Sequence, residues 1–459
     1  NNNQVLKGII SSISNSEITI SLINKLINYN FDANHKWTIE QEQSDAITGY
    51  LYSSVFSLLR CPQQRRSLLL GLNRPQSSVL PDISYPELTS EQNELLRKII
   101  AANDYFLVQG PPGVGKTSYL LRYLVKYYFE NTNSNILLVA YTNRAVDEIC
   151  LTLKKISPDF PFLRLGNKEA TEIEDNSIAF LAEKMRFSDL FLKIKSCRVF
   201  VSTISSVLTS NELFQIKNFD IAIVDEASQI LEVYIYSLIT QVRKFVLIGD
   251  EKQLPAVVPL QNGRAKIKDA ELLQIEMTDL SVSYFERLLK IAQKNGWDEF
   301  YGMLSYQSRM KQPIMDLANY LFYENKLQLS EFVYRNSAEQ RFCDDFMLLN
   351  SDDIIFINTP ATNSSKTNKI EAEVATKIAK SLAQKSDSNL DNSDIGIIVA
   401  FRMQGNEIFK NLGELSRIID VDTVERFQGS ERRTIIISFA VNKPVEIDMI
   451  SNVSSFNGK

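Results

Sequence analysis

The chain has 459 residues, 44% of them apolar, which is more than one ordinary hydrophobic core accommodates. Its 50 lysines and arginines nearly balance 55 aspartates and glutamates, which excludes a globally basic nucleic-acid-binding protein and leaves only a local groove for any polynucleotide. It contains no long apolar run, no signal peptide and no paired cysteine spacing, so we expect a soluble cytoplasmic protein with no membrane partner.

The first predicted elements are short strands followed by a long helix. Apolar and polar residues alternate within 18–22 and again at Trp37 and Ile39, which favours strands with one buried face. Apolar residues recur at helical spacing over 41–59, which predicts a helix there. We predict a small β and helical region over residues 1–85.

Residues 86–262 repeat a pattern of a short aliphatic run, a polar turn and an amphipathic stretch. Such runs suit strands that are buried on both faces, and the helices between them predict a parallel, doubly wound α/β sheet. Sheets of this kind bind ligands beyond the carboxyl ends of their strands. We also predict a small helical insertion at about 155–195. The predicted strands lie at 105–108, 136–140, 199–201, 221–224 and 245–248.

A second series of apolar runs predicts a second α/β domain over residues 263–459. Polar stretches at 362–368 and 387–393 predict surface loops. The chain starts without methionine and stops soon after an apolar run, so we interpret it as a piece of a longer polypeptide. The predicted strands of this second series lie at 354–357, 395–400 and 434–437.

A phosphate-binding loop is the strongest chemical signal. Residues 110–117 satisfy the GxxxxGK[ST] pattern between a predicted strand and a predicted helix, which is the context that this motif requires. Main-chain N–H groups would surround the phosphates of ATP, Lys116 would reach the β and γ phosphates, and Thr117 would ligate Mg²⁺. A glycine-rich turn without a ligand is the alternative. The loop residues predicted to bind the nucleotide are Gly110, Pro111, Pro112, Gly113, Val114, Gly115, Lys116 and Thr117.

Two carboxylates follow the predicted strand at 221–224. We expect Asp225 to hold Mg²⁺ and Glu226 to polarise the attacking water. An isolated Asp-Glu pair after a strand is more often a solvated surface pair, but the phosphate loop upstream reverses that preference.

The segments around these residues resemble, in chain order, the motifs of superfamily 1 helicases. The most specific is Gly-Asp-Glu-Lys-Gln-Leu-Pro at 249–255, which looks like motif III. The motifs together resemble the 5′-to-3′ branch, which includes the nonsense-mediated decay helicase, and motifs II and V are most similar to those of the replication nuclease-helicase family. That family implies two RecA-like domains preceded by a β-barrel and a stalk helix, here residues 1–60. The remaining motifs lie at 88–92, 139–143, 201–203, 307–310 and 421–431.

The resemblance implies roles for single residues. Gln92 would read adenine, Gln253 would sense the γ phosphate, and Arg309 would be an arginine finger from the second domain. Glu431 would contact the ribose beside Gly429. Outside such motifs, a lone Gln or Arg is usually a surface group, and Ser or Thr after a strand is usually a helix cap. The residues that would contact the nucleic-acid backbone are Tyr141, Thr142, Asn143, Ser202, Thr203, Pro255 and Thr423.

Two features depart from the family pattern. Ser308 stands where motif IV commonly has a tyrosine that stacks on adenine. Motif VI, which supplies a second arginine finger, is expected after residue 440 and does not occur before Lys459, which we interpret as truncation.

The resemblance implies an ATP-dependent helicase or translocase that moves 5′-to-3′ on single-stranded nucleic acid, with DNA favoured over RNA. The alternatives are an ATP-gated nucleic-acid clamp and an RNA helicase without processive DNA unwinding. The family also implies a nuclease domain in the same parent polypeptide, although this chain contains no four-cysteine iron–sulfur spacing.

Overall fold

The computed structural model divides the chain into two compact units, Asn1–Ile47 and Thr48–Lys459. In the first unit, strands β1 (Gly8–Ile13) and β2 (Ile18–Leu22) form an antiparallel pair. β2 confirms the predicted strand at 18–22, whereas Trp37 and Ile39 lie outside the described residues. The structure describes residues 8–13, 17–22, 46–166, 171–256, 258, 265–331, 353–385, 394–444 and 446.

The predicted helix at 41–59 is present as α1 (Ala46–Arg60), and its residues 41–45 lie outside the described part. The helix α2 (Gln63–Leu69) follows after a short turn. Leu58 of α1 and Leu69 of α2 are buried in the main hydrophobic core. The helices that precede the main sheet therefore pack against it.

The main sheet has seven parallel strands in the order β5-β6-β4-β7-β8-β3-β9. Every residue of β4, β6, β7 and β8 is buried, as expected for strands covered on both faces. All five strands predicted in this region are confirmed. The strands are β3 (Tyr105–Gln109), β4 (Ile136–Ala140), β5 (Leu163–Arg164), β6 (Val199–Thr203), β7 (Ile221–Val224), β8 (Lys244–Gly249) and β9 (Tyr301–Met303).

Helices connect these strands, as a doubly wound sheet requires. The predicted insertion at about 155–195 contains two helices, α6 (Ile178–Lys184) and α7 (Phe187–Ser196), together with the edge strand β5. No helix in the described ranges is long and apolar enough to cross a membrane. The other helices are α3 (Ser90–Ala101), α4 (Arg122–Asn131), α5 (Asn143–Lys154), α8 (Ile204–Thr209), α9 (Asn211–Ile216), α10 (Glu232–Ile239), α11 (Ala270–Gln274) and α12 (Tyr284–Lys294).

The main sheet extends beyond the boundary predicted at residue 262. Helix α12 lies in the main core, and β9 pairs with β3. β9 is hidden in the sequence because its three residues include Gly302 and form no apolar run. A Cβ on Gly302 would approach Leu95 Cδ1 to 2.5 Å, so glycine allows α3 to pack closely. We therefore propose that the first lobe comprises residues 86–303 and the second lobe residues 304–446.

The second lobe has a smaller parallel sheet in the order β13-β12-β14, with its own buried core. Its strands are β12 (Ile395–Val399), β13 (Asp420–Thr423) and β14 (Thr434–Ser438). A short parallel pair, β10 (Tyr306–Gln307) and β11 (Gln328–Leu329), precedes it. The helices of this lobe are α13 (Gln312–Phe322), α14 (Lys369–Lys385), α15 (Arg402–Leu412) and α16 (Val424–Phe427).

The strand predicted at 354–357 is wrong. This run pairs with no described strand, and its side chains are exposed, Phe356 by 83%. High β-propensity forms a strand only where a partner supplies hydrogen bonds and a packing surface. The loop predicted at 362–368 is confirmed, and 387–393 lies outside the described residues.

A buried ion pair joins α12 to α10. Arg287 donates from Nε to Glu232 at 2.9 Å and from Nη1 to the carbonyl oxygens of Leu70 and Ile275 at 3.1 Å. The Tyr236 hydroxyl also donates to Glu232. The pair therefore belongs to a fully buried polar network that ties α2, α10 and α12 together.

We expect Arg287→Met to lower the free energy of unfolding by about 3–5 kcal/mol, because Glu232 would stay buried without its cation. Urea unfolding measures the change. Lys290→Met on the same helix removes an exposed ion pair with Glu286 and should cost about 1 kcal/mol or less. Equal losses in the two variants would contradict a special role for the buried pair.

Candidate nucleotide site and nucleic-acid interface

The phosphate loop (residues 110–117) lies between β3 and a helix that begins at Lys116. The first helical residues, Lys116–Leu121, have π-helical geometry and continue into α4. Gly113 has φ +78°, a conformation that favours glycine, and the N–H of Gly110 donates to the Gly249 carbonyl at 2.8 Å. The Lys116 side chain crosses Gly110 so closely that a Cβ there would be 2.3 Å from Lys116 Cδ. The loop thus has the compact glycine cradle that phosphate binding needs.

The two carboxylates after β7 meet this loop. The Thr117 hydroxyl donates to Asp225 Oδ2 at 2.6 Å, and Lys116 Nζ lies 3.4 Å from Glu226 Oε1. The structure therefore brings together four residues that the sequence predicts for ATP and Mg²⁺. They meet because β3 and β7 are parallel and end at the same edge of the sheet.

The backbone at Glu226 is in the left-handed region, with φ 52° and ψ 40°. Asp225 Oδ1 accepts a hydrogen bond from the Glu226 N–H at 3.0 Å, and Gln229 Nε2 donates to Glu226 Oε2 at 3.1 Å. A non-glycine residue in this conformation is strained, and such strain concentrates at functional sites. The turn sends the Glu226 side chain back toward the phosphate loop.

The donor set fits a magnesium ion. Burial and the neighbouring Glu226 carboxylate raise the pKa of Asp225, while the Thr117 hydroxyl and the Lys116 ammonium lower it. A divalent cation would offset this buried negative charge. One carboxylate and one hydroxyl form a partial oxygen shell, as is usual for Mg²⁺ that is completed by substrate phosphates and water.

Gln253 and Gln92 both lie at the edges of this site. Gln253 follows β8 and donates from Nε2 to Asp250 Oδ2 at 2.8 Å. Gln92 forms a capping box with Thr89 at the start of α3, and its Nε2 lies 3.5 Å from the Val114 carbonyl. Gln92 therefore stabilises its helix and touches the phosphate loop, and its contact with adenine stays a prediction.

The segment at 307–310 from the second lobe lies directly on the phosphate loop. The Ser308 N–H donates to the Gly113 carbonyl at 2.9 Å, and a Cβ on Gly113 would be 2.5 Å from Arg309 Cβ. The Nε of Arg309 donates to Glu431 Oε2 at 2.6 Å. Two predicted nucleotide contacts from motifs IV and V thus pair with each other next to the loop. Gly429 lies two residues before Glu431, in an exposed left-handed turn with φ +77°.

Comparisons with known proteins agree with this arrangement. Two family profiles, each described as an AAA domain, match residues 87–189 with 181–259 and residues 280–457. The DNA replication ATP-dependent helicase/nuclease DNA2 of Xenopus laevis is 30% identical over 405 residues, which cover 81% of this chain and 34% of that protein. The chain therefore consists largely of AAA domains and is similar in sequence to the DNA2 helicase/nuclease.

Further relatives and solved structures also match only in part. The human DNA2 protein is 28% identical over 416 residues, covering 82% of this chain and 37% of the relative. The structure of an arterivirus nonstructural protein 10 helicase with DNA has a TM-score of 0.38 at 15% identity, covering 75% of this chain and 55% of that one. The chain spans about a third of the length of the DNA2 relatives.

The helicase motifs predicted to contact nucleic acid lie at the ends of adjacent strands. Tyr141 and Thr142 follow β4, and Ser202 and Thr203 end β6. Thr142 accepts from the Ala145 N–H at 3.2 Å and Thr203 from the Ser206 N–H at 3.1 Å, so both cap helices, as in the alternative interpretation. Tyr141 is exposed, and Ser202 is buried.

Pro255 and Thr423, two of the three remaining predicted contacts, differ in exposure. Pro255 is exposed at the end of motif III, whereas Thr423 is buried at the end of β13. Because the Thr423 side chain is buried, mainly its main-chain groups could contact a nucleic acid. Nucleic-acid contacts by these residues stay predictions.

Arg164 is a site residue that sequence reasoning missed. It is fully buried on β5, where Nε donates to Asp147 Oδ1 at 2.9 Å and Nη2 donates to Asn143 Oδ1 at 3.1 Å. Arg164 therefore fixes Asn143, a predicted nucleic-acid contact. The available signal was a lone arginine within the apolar run 160–165, since a buried charge needs partners.

Proposed function

We propose that this chain is the motor of an ATP-dependent helicase that moves 5′-to-3′ along single-stranded DNA. One observation carries the proposal: Lys116, the Asp225–Glu226 pair and Arg309 meet around one glycine cradle, although they come from three separate segments and both lobes. The relatives are named as ATP-dependent helicases of DNA replication, which supports ATP as the substrate and DNA over RNA.

ATP would bind with its phosphates against the main-chain N–H groups of residues 110–117 and the Lys116 ammonium. Thr117 and Asp225 would hold Mg²⁺, which when bound neutralises phosphate charge. Glu226 would orient the attacking water and accept its proton as the water oxygen bonds to the γ phosphorus and the β–γ bridge breaks. Gln253 and Arg309 would stabilise the charge on the transferring phosphoryl group. At the other end of the nucleotide, Gln92 would face adenine and Glu431, after Gly429, the ribose.

Movement would follow from the contact between the lobes. Arg309 and Ser308 belong to the second lobe and lie on the phosphate loop of the first. ATP hydrolysis at this loop would therefore change the contacts between the two lobes. Single-stranded DNA would lie across the strand ends at residues 141–143, 202–203 and 255 of the first lobe and at Thr423 of the second. Alternating grip by the two lobes would move the strand.

A tailed-duplex assay tests this function. We expect ATP-dependent strand separation on a DNA duplex with a 5′ single-stranded tail and little on one with a 3′ tail. ATP-dependent DNA binding without strand separation would support the clamp alternative instead. Faster separation when the tail is RNA would overturn the preference for DNA.

The names of the relatives also include a nuclease, and the chain spans about a third of their length. We propose that a nuclease domain lies elsewhere in the parent polypeptide. Action on chromosomal DNA would place the protein inside the cell.

A further inference from the structure

Asp250 is a buried carboxylate at the end of β8, with no exposed surface. Its Oδ2 accepts two hydrogen bonds, from Gln253 Nε2 at 2.8 Å and from the Tyr323 hydroxyl at 2.7 Å. Its Oδ1 accepts from the Lys252 N–H at 3.1 Å. The proposed γ-phosphate sensor Gln253 therefore shares one carboxylate oxygen with Tyr323, which lies in the other lobe, 73 positions after Asp250.

Tyr323 directly follows the last residue of helix α13, and the segment that carries Arg309 directly precedes the helix. The helix has 11 residues and is therefore about 16 Å long. Asn319 fixes the turn that follows, through hydrogen bonds of 3.0 and 2.9 Å with the carbonyl and N–H of Leu327. Both ends of α13 thus contact the first lobe, one at the phosphate loop and the other at Asp250.

The hydroxyl of Tyr323 has a specific energetic role. It donates to the fully buried carboxylate of Asp250, and a hydrogen bond to a buried charged group is strong and its loss is costly. Burial raises the pKa of Asp250, and hydrogen bonds from Gln253 and Tyr323 oppose that rise. Without the hydroxyl, Asp250 Oδ2 would accept only from the Gln253 amide, while Oδ1 would keep its bond from the Lys252 N–H. The Asp250 carboxylate would then hold the Gln253 amide less firmly.

We infer that Tyr323 is a positioning residue that transmits the placement of the second lobe to Gln253 through Asp250. When α13 packs against the first lobe, the segment before it places Arg309 at the phosphate loop. In the same movement Tyr323, after the helix, fixes the Gln253 side-chain amide through Asp250. This inference rests on the proposed function and adds an interlobe residue to it.

The test is Tyr323→Phe, which keeps the buried ring and removes only the hydroxyl. We expect kcat for ATP hydrolysis in the presence of oligo-dT to fall about tenfold, with KM for ATP within about twofold of wild type. The ratio of DNA-stimulated to basal turnover should fall as well, and this ratio does not depend on the folded fraction. Tyr320→Phe is the matched control, because Tyr320 lies on the same helix and is 76% exposed.

A double-mutant cycle separates positioning from a general structural effect. If Tyr323 acts through Gln253, adding Tyr323→Phe to Gln253→Ala should lower kcat by less than about twofold. A full tenfold further loss, or wild-type turnover in Tyr323→Phe alone, would overturn the inference and leave the proposed function intact. Absence of turnover in the wild-type chain would instead contradict the proposed function and this inference with it.

Discussion

Replacing Glu226 with glutamine is expected to slow ATP hydrolysis by about 10²- to 10⁴-fold while ATP binding is retained. The carboxylate lies at the phosphate loop, 3.4 Å from Lys116 Nζ, on a strained left-handed backbone that aims it there. Glutamine keeps the size of this side chain and one acceptor oxygen, but it loses the ion pair with Lys116 and cannot accept the proton of the attacking water. Phosphate release measures turnover, and a fluorescent ATP analogue measures binding.

Two further variants serve as comparisons for Glu226→Gln. Lys116→Ala should weaken both binding and turnover, because it removes the ammonium that faces the phosphates. Glu212→Gln, at an exposed glutamate on α9, should leave both unchanged. Wild-type turnover in Glu226→Gln would refute the assignment of the water-activating carboxylate.

Replacing Arg309 with alanine should lower kcat by about 10³-fold, the magnitude typical of an arginine finger. The Ser308 N–H bonded to the Gly113 carbonyl at 2.9 Å holds this residue at the phosphate loop. Arg309→Lys should also be strongly impaired, because a lysine cannot present the planar fork of donors to a phosphate. Single-turnover hydrolysis with saturating ATP measures the chemical step.

The control for Arg309 is Arg417→Ala, which removes an arginine paired with Glu414 on the surface. It should leave hydrolysis unchanged. Loss of ATP affinity in Arg309→Ala without loss of kcat would mean that the arginine binds the ground state and does not stabilise the transferring phosphate.

The sequence predicts the first lobe well because its strands are continuous apolar runs. Buried parallel strands need such runs, and their shared carboxyl edge explains why residues 110–117 meet Asp225 and Glu226 as predicted. β9 was missed because Gly302 interrupts its apolar character, and β5 because a two-residue strand has no periodicity. In the second lobe, the run at 354–357 shows that propensity without a pairing partner does not make a strand.

The contacts that join distant segments were not predictable from local pattern. The Tyr323 hydroxyl reaches Asp250 across 73 positions, and Arg164 reaches Asn143 across 21. The apolar periodicity of a sequence predicts helices and strands, but it does not identify the distant partner of a single arginine or tyrosine. Helix capping was the alternative interpretation of Thr142 and Thr203, and the structure confirms that both cap helices. Their contact with nucleic acid stays a prediction.

The most direct test of the central claim is steady-state ATP turnover by the wild-type parent polypeptide with Mg²⁺, with and without oligo-dT. A nucleic-acid motor built on the meeting of residues 110–117, Glu226 and Arg309 should hydrolyse ATP and do so at least about tenfold faster when single-stranded DNA is bound. Turnover that does not respond to DNA or RNA, or tight ATP binding without any hydrolysis, would contradict it.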